Sequence, residues 1–295
     1  MKKISLSDAG PRTSSAIYSF WRWNDQENLS IEKMKDIISF TLKLGINAFD
    51  ISPSYGYGAT ESLFGQALRE LKIKRSEIVL FSKIGIRYAQ PDGNTLYKEL
   101  SEKAIQKQIE QSLSNLNTDY IDVILIDGFD PLMNVDEVAS SLTELQLKGK
   151  IKFVGLSDFS VQQHKLLASR LSNEIVTNHF ELNLLNTKAL DDGRIDFIKE
   201  NYAKPMAFGP LADGRILNGT DHSARTLRKA LVTISEKYKS NIEQISVAWI
   251  YKLGALPIIG SLNKDRIKNA ATAENVKLSH ADWHHLYDIA KHLPG

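Results

Sequence analysis

An acid, a phenol and an amine are spaced so that an α/β chain could bring them together: Asp50, Tyr55 and Lys83. Asp50 lies at the end of a short apolar run, Asn47 to Ile51, and Lys83 near the end of a second, Ile78 to Ile84. Tyr55 sits in a glycine-rich loop, Ser54 to Thr60. That loop leads into Glu61, Leu63, Phe64, Ala67 and Leu68 at helical spacing. In a parallel sheet or barrel such strand ends share one face. A lysine beside a phenol favours the phenolate, because its charge offsets the new negative one. The pair is therefore expected to bring Tyr55 down from its ordinary pKa of about 10, toward proton donation at neutral pH. Asp50 is placed to pair with Lys83 and fix its direction. The plain alternative is an acid and a lysine rimming a barrel, with Tyr55 a turn aromatic.

The elements that must position these groups follow from the remaining apolar runs. Lys2 to Thr13 carries the turn signal Asp8-Ala9-Gly10-Pro11 and suits a short hairpin closing the bottom of a barrel. Barrel strands are expected at Ala16–Phe20, Asn47–Ile51, Ile78–Ile84, Ile121–Ile126, Phe153–Leu156, Ile175–Asn178, Met206–Phe208 and Leu256–Ile259. Helical periodicity separates them: from a Ser30 cap to Gly45, over Ser101 to Leu116, and after a capping box of Asn134 with Glu137. It recurs over Ala224 to Tyr238 and Ile242 to Leu253. Short, continuously apolar strands alternating with amphipathic helices predict α/β architecture, a (β/α)8 TIM barrel of parallel strands, as one domain over residues 1–295. The rival is a doubly wound open sheet. It usually wants a Gly-x-Gly-x-x-Gly turn after the first strand, and none is there.

The phrase FDISPSYGYGATESLFGQAL, with an Asp ending the second strand and a Tyr five residues on, resembles the aldo-keto reductase signature; SKIG at Ser82 to Gly85 is similar to that family's lysine segment. The resemblance spans essentially the whole chain and extends to the bacterial NADP-dependent oxidoreductases of the family. It implies carbonyl reduction by hydride from a nicotinamide cofactor. Tyr55 would then be the proton donor, Lys83 its pKa-lowering neighbour and Asp50 the partner of Lys83. Where the family usually ends strand four with a histidine, DYIDVILIDGFDPL holds Asp127. An ionised aspartate cannot donate to a carbonyl, and it raises a neighbouring phenol's pKa. A protonated one can donate, as in buried carboxylic acids, and relatives that reduce carbon–carbon double bonds carry Glu there. Otherwise Asp127 marks a weak or inactive relative.

The resemblance also implies a nicotinamide pocket and a nucleotide tail. The family's Gly-Val-Ser-Asn-Phe stands here as Gly155-Leu156-Ser157-Asp158-Phe159, and its Asn-Gln as Asn178-His179. Ser157, Asp158 and His179 are the expected carboxamide contacts, although an aspartate accepts and cannot donate. Asp127, Asp158 and His179 are placed to interact, which would raise the histidine's pKa. Phe208 falls where the family stacks an aromatic on the nicotinamide ring, and Leu211 and Gly214 follow in a loop whose backbone could face the pyrophosphate. Ser261, Lys264 and Arg266, at the start of a helix, match the holders of the 2′-phosphate of NADP, and Asn269 matches an adenine contact.

Composition narrows the class. The chain has 295 residues, no cysteine and a formal net charge of +2, with basic residues scattered. Disulfides, thiolate chemistry and a nucleic-acid footprint are not expected. No signal peptide or membrane span is recognisable, so a cytoplasmic protein is expected. No metal site is expected: His284 and His285 are adjacent and point to different helix faces. The partner is a small molecule. Its pocket would be formed by Tyr18 to Asp25, Tyr88 to Tyr97, Gly128 to Leu132 and the final segment, with Trp21, Trp23, Tyr88 and Phe129 making it apolar. Oligomeric state is left open. Two other classes stand beside the reductase: a cofactor-binding regulatory protein, and a lyase using Lys83 as a Schiff-base amine.

Overall fold

The computed structural model describes residues 1–23, 30–88 and 96–293. Asn24, Asp25 and the turn Pro91-Asp92-Gly93-Asn94 lie outside the described residues. Strands β1 (Lys3–Ser5) and β2 (Arg12–Ser14) form the expected antiparallel hairpin. Then come β3 (Ile17–Ser19), β4 (Ala48–Asp50) and β5 (Val79–Ile84), and a second hairpin of β6 (Ile86–Tyr88) with β7 (Leu96–Lys98). The rest are β8 (Ile121–Asp127), β9 (Ile151–Ser157), β10 (Ile175–Glu181), β11 (Met206–Phe208) and β12 (Leu256–Ile259). Strands β3, β4, β5 and β8 to β12 pair in parallel in chain order. β12 pairs back onto β3 through Ile258 opposite Ile17, so the barrel is closed and no open edge of a doubly wound sheet exists.

Around it run α1 (Ile31–Lys43), α2 (Ala59–Glu70), α3 (Glu102–Leu116), α4 (Val135–Leu147), α5 (Val161–Ala168), α6 (Lys188–Asp191) and α7 (Arg194–Glu200). They continue with α8 (Arg215–Asn218), α9 (His222–Lys237), α10 (Ile242–Leu253), α11 (Lys264–Thr272) and α12 (His280–Lys291). Polar caps define their starts: Ser30, Ser101 and Asn134 each accept from first-turn amides. The box expected at Asn134 is only half made. The Glu137 carboxylate accepts instead from the Glu102 amide, 2.9 Å away, and so ties α4 to the start of α3. Complete boxes occur at Ser160 with Gln163 and Asn241 with Gln244.

Alternation along each strand sorts the core into two layers. Ile17, Ala48, Val79, Phe81, Val123, Leu125, Met206, Leu256 and Ile258 pack inside the barrel, and Leu6 of the N-terminal hairpin joins them. Tyr18, Phe49, Leu80, Ile124, Ile126, Val154, Leu156 and Ile259 pack between sheet and helices. The closest helix contact rests on Gly65: a Cβ there would lie 2.6 Å from the Leu116 carbonyl oxygen, so only glycine lets α2 sit against α3. Glu61, one turn earlier and fully buried, accepts from Asn115 at 3.1 Å and Ser82 at 3.3 Å. It links α2 to both α3 and β5.

Candidate active site

The same alternation, carried to the C-terminal ends of the strands, delivers Ser19, Asp50, Lys83, Asp127, Ser157, His179 and Phe208 to the inner rim of one mouth. Tyr55 reaches it from the loop after β4. There Gly56, Tyr57 and Gly58 take left-handed conformations with φ of 56°, 55° and 84°. Glycine accepts this freely, and Tyr57 holds the strained step of the turn.

Lys83 Nζ donates to the Tyr55 hydroxyl at 2.6 Å and lies 3.3 and 3.4 Å from the two Asp50 carboxylate oxygens. Tyr55 in turn faces Asp50 Oδ2 at 3.4 Å, and Ser19 Oγ donates to that same oxygen at 2.6 Å. Asp50 and Lys83 are buried, so their charges act through little water. Burial pushes the Tyr55 phenol up, the Asp50 carboxylate pushes it further, and Lys83 offsets only part of this; Asp127 adds to the rise. The expectation of a lowered phenol pKa is therefore corrected. Lys83 favours the phenolate as expected, but desolvation and Asp50 outweigh it. For Lys83, burial opposes the charged form, yet Asp50, Tyr55 and Asp127 together raise its pKa and keep it an ammonium.

His179 is 4% exposed, and among the described residues neither ring nitrogen has a hydrogen-bond partner. It makes a T-shaped contact with Phe208, centroids 4.9 Å apart. Burial, and then the Lys83 charge, hold its pKa well below the ordinary value, so the ring is neutral. The expected triangle with Asp127 and Asp158 does not form. Asp158 is exposed, sits at φ 55°, and pairs with Arg194 at 3.4 Å. Asparagine and aspartate both tolerate that left-handed step, a backbone reason for either residue there. A neutral imidazole with one donor and one acceptor unused, next to buried Ser157, fits a primary carboxamide, which needs both. A nicotinamide is thus compatible with the groups present. Asn178 points the other way and braces the next turn, donating to the Phe159 carbonyl at 2.8 Å.

Beyond Phe208 the chain turns through left-handed Gly209, Ala212, Asp213 and Gly214, and Leu211 lies within this loop, its carbonyl accepting from the Gly214 amide. Asp213 pairs with Arg22, which stacks on Trp21, so the loops after β3 and β11 are joined. Trp21 also lies against Gly260, where a Cβ would meet its indole nitrogen. Trp23, expected at the pocket, is instead buried among Phe20, Tyr18 and the Thr60 hydroxyl contact. Phe129 packs on Phe159. At the far end Ser261 Oγ accepts from the Asn263 amide, Lys264 pairs with Asp36 at 2.6 Å, and Arg266 pairs with Glu243 at 3.2 Å. Asn269 donates to that same glutamate at 2.5 Å.

Ser19, Arg22, Asp36, Arg194, Asp213 and Glu243 did not stand out in the sequence. Ser19 had a usable signal, since it is the inward position closing the first strand. The others act through contacts between elements distant in the chain. Among the described residues no group of three or more His, Cys, Asp or Glu could hold a metal, and no helix is long and apolar enough to cross a membrane.

The aldo/keto reductase family model matches residues 18–291. The chain belongs to that family. It is 34% identical over 287 residues to oxidoreductase YdhF of Escherichia coli K12, spanning 96% of this chain and 95% of the relative. It is 33% identical over 293 residues to the uncharacterized oxidoreductase YcsN of Bacillus subtilis, with 97% of each covered. The 6-dehydroglucose reductase of Agrobacterium fabrum is 30% identical over 297 residues, with 98% of each covered. Among solved structures, glycerol dehydrogenase AKR11B4 from Gluconobacter oxydans superposes with a TM-score of 0.87 at 21% identity, covering 99% of this chain and 96% of that one. This likeness concerns the fold. As an aldo/keto reductase the chain is an oxidoreductase of a family consistent with carbonyl reduction, and the family normally binds a nicotinamide cofactor.

Proposed function

We propose that this aldo/keto reductase reduces the carbonyl of a small molecule with NADPH, Tyr55 supplying the proton. The observation that carries the reading is the 2.6 Å contact of Lys83 with the Tyr55 hydroxyl at the barrel mouth, above Asp50. When bound, the nicotinamide supplies a hydride. Tyr55 holds its proton at neutral pH, because burial and Asp50 keep the phenol pKa raised. As charge develops on the substrate oxygen, Tyr55 releases that proton and the Lys83 ammonium stabilises the phenolate. Asp50 keeps Lys83 charged and aimed, and Ser19 fixes Asp50. His179 and Ser157 would hold the carboxamide, with Asp158 on the rim beside them. Phe208 would face the ring, Leu211 and Gly214 would border the pyrophosphate, and Ser261, Lys264, Arg266 and Asn269 would take the phosphorylated adenosine.

Asp127 sits in the register after Ile126, opposite Ser157. A protonated carboxyl there would donate to the substrate, including an activated double bond conjugated to a carbonyl. An ionised one would slow reduction by raising the Tyr55 pKa. That charge is the one feature favouring a cofactor-binding protein without turnover. The Schiff-base alternative needs a neutral amine, and the surroundings of Lys83 favour the ammonium. The test is NADPH consumption with aldehydes, ketones, keto-sugars and enones, using Tyr55→Phe as control. NADPH should bind both forms, shown by its fluorescence, and be consumed only by the wild type. Binding without turnover across the panel would favour the regulatory reading.

A further inference from the structure

Each group offered to the 2′-phosphate already has an anionic or internal partner. Asn263 Oδ1 accepts from the Asp265 and Arg266 amides, so the first free amides of α11 are used by their own cap. Lys264 is held by Asp36, and both are well exposed. Arg266 and Asn269 converge on Glu243, in the first turn of α10. Oε1 lies 3.2 Å from Arg266 Nε, and Oε2 accepts from Asn269 at 2.5 Å. The Glu243 side chain is only 14% exposed, so its charge is less screened than that of Asp36, which is 59% exposed. Each of the two cations, Lys264 and Arg266, therefore already faces an acid, Asp36 and Glu243. A dianionic phosphate entering this pocket meets a field already neutralised. A ribose hydroxyl does not suffer from this, since a carboxylate accepts its proton well.

We propose that Glu243 is a specificity-determining residue at the adenosine end of the site. Resting on the reading of this groove as a dinucleotide site, its carboxylate competes with the 2′-phosphate for Arg266 and so narrows the preference for NADPH over NADH. The Glu243 carboxylate approaches the guanidinium at Nε, 3.2 Å from Oε1. The acid thus stays behind the guanidinium as a standing negative charge when the phosphate arrives.

The test is equilibrium fluorescence titration with NADPH and with NADH, on wild type, Glu243→Gln, Arg266→Ala and the double variant. Circular dichroism confirms the fold, and Glu243→Ala serves as a second replacement. Removing the charge should tighten NADPH about fivefold, the scale of one partly exposed ion pair, and leave NADH within about twofold. The gain should vanish in the Arg266→Ala background. Weaker NADPH binding in Glu243→Gln would make the glutamate an orienting partner of Arg266 and overturn the proposal. An equal shift for both nucleotides would overturn it as well. A wild type that binds neither nucleotide would overturn the dinucleotide reading itself, and the proposal with it.

Discussion

Replacing Lys83 by methionine keeps most of the side-chain stem and removes the charge 2.6 Å from the Tyr55 oxygen. The phenolate left after proton transfer would then face acids without a cation beside it, Asp50 foremost, whose Oδ2 lies 3.4 Å away, and Asp127. For unit charges 2.6 Å apart, Coulomb's law at an effective dielectric of about 20 gives about 6 kcal/mol. Water entry and side-chain relaxation recover roughly half, so about 3 kcal/mol of transition-state stabilisation is lost, roughly 150-fold in kcat. Steady-state NADPH oxidation measures this, with nucleotide binding followed separately by fluorescence. The pH dependence supplies a second readout. Because the Tyr55 pKa is raised, its proton stays on through neutral pH, and the reductive kcat/KM should be flat from about pH 6 to about pH 9. The reverse oxidation needs the phenolate and should climb with pH over that range, with its rise displaced to higher pH in Lys83→Met. A loss below about fivefold in kcat, or a wild-type reductive limb falling with a midpoint near pH 7, would refute the assignment of Tyr55 and Lys83 as an acid and its stabiliser.

Asp127→Asn tests the departure in strand β8. If the carboxylate opposes proton transfer by its charge, the amide raises kcat about tenfold; if a protonated Asp127 donates, kcat falls, and a solvent isotope effect on both forms separates the cases. His179→Leu removes two buried, unpartnered nitrogens and should raise the Tm, while weakening nucleotide binding at least about tenfold; unchanged affinity would remove His179 from the carboxamide site. His164 is buried against Phe197 with its Nδ1 unpartnered, and burial lowers its pKa to about 4. Its folded pKa lies below the unfolded value of about 6.5, so stability is intact above about pH 6.5 and declines toward pH 4, by about 3 kcal/mol in full. Urea titrations of wild type and His164→Leu across that range should differ least at neutral pH and diverge in acid, where only the wild type loses stability.

The backbone was largely readable because a buried parallel strand is written as a short apolar run between breakers. Met206–Phe208 and Leu256–Ile259 emerge with the bounds expected of them. Strand β10 runs on to Glu181, past the Asn178 where the apolar run stops. Polar residues at a barrel mouth end the hydrophobic signal before they end the hydrogen bonding. Alternation then places Asp50, Lys83, Asp127 and His179 on one rim. What the sequence does not carry is the sign of competing terms and the partners of long side chains. Asp50 holds Lys83 in place and also pushes Tyr55 upward, and only burial decides that the second effect prevails. Lys264 meets Asp36 across 228 residues, and Arg266 meets Glu243 from another helix; no local spacing encodes either pair. A motif therefore states which groups a site contains. How tightly each is already bound by its neighbours decides what the site can still hold, and in this chain that second quantity differs between the two ends of the groove: among the described residues His179 has no hydrogen-bond partner, whereas Arg266 is already paired with an acid.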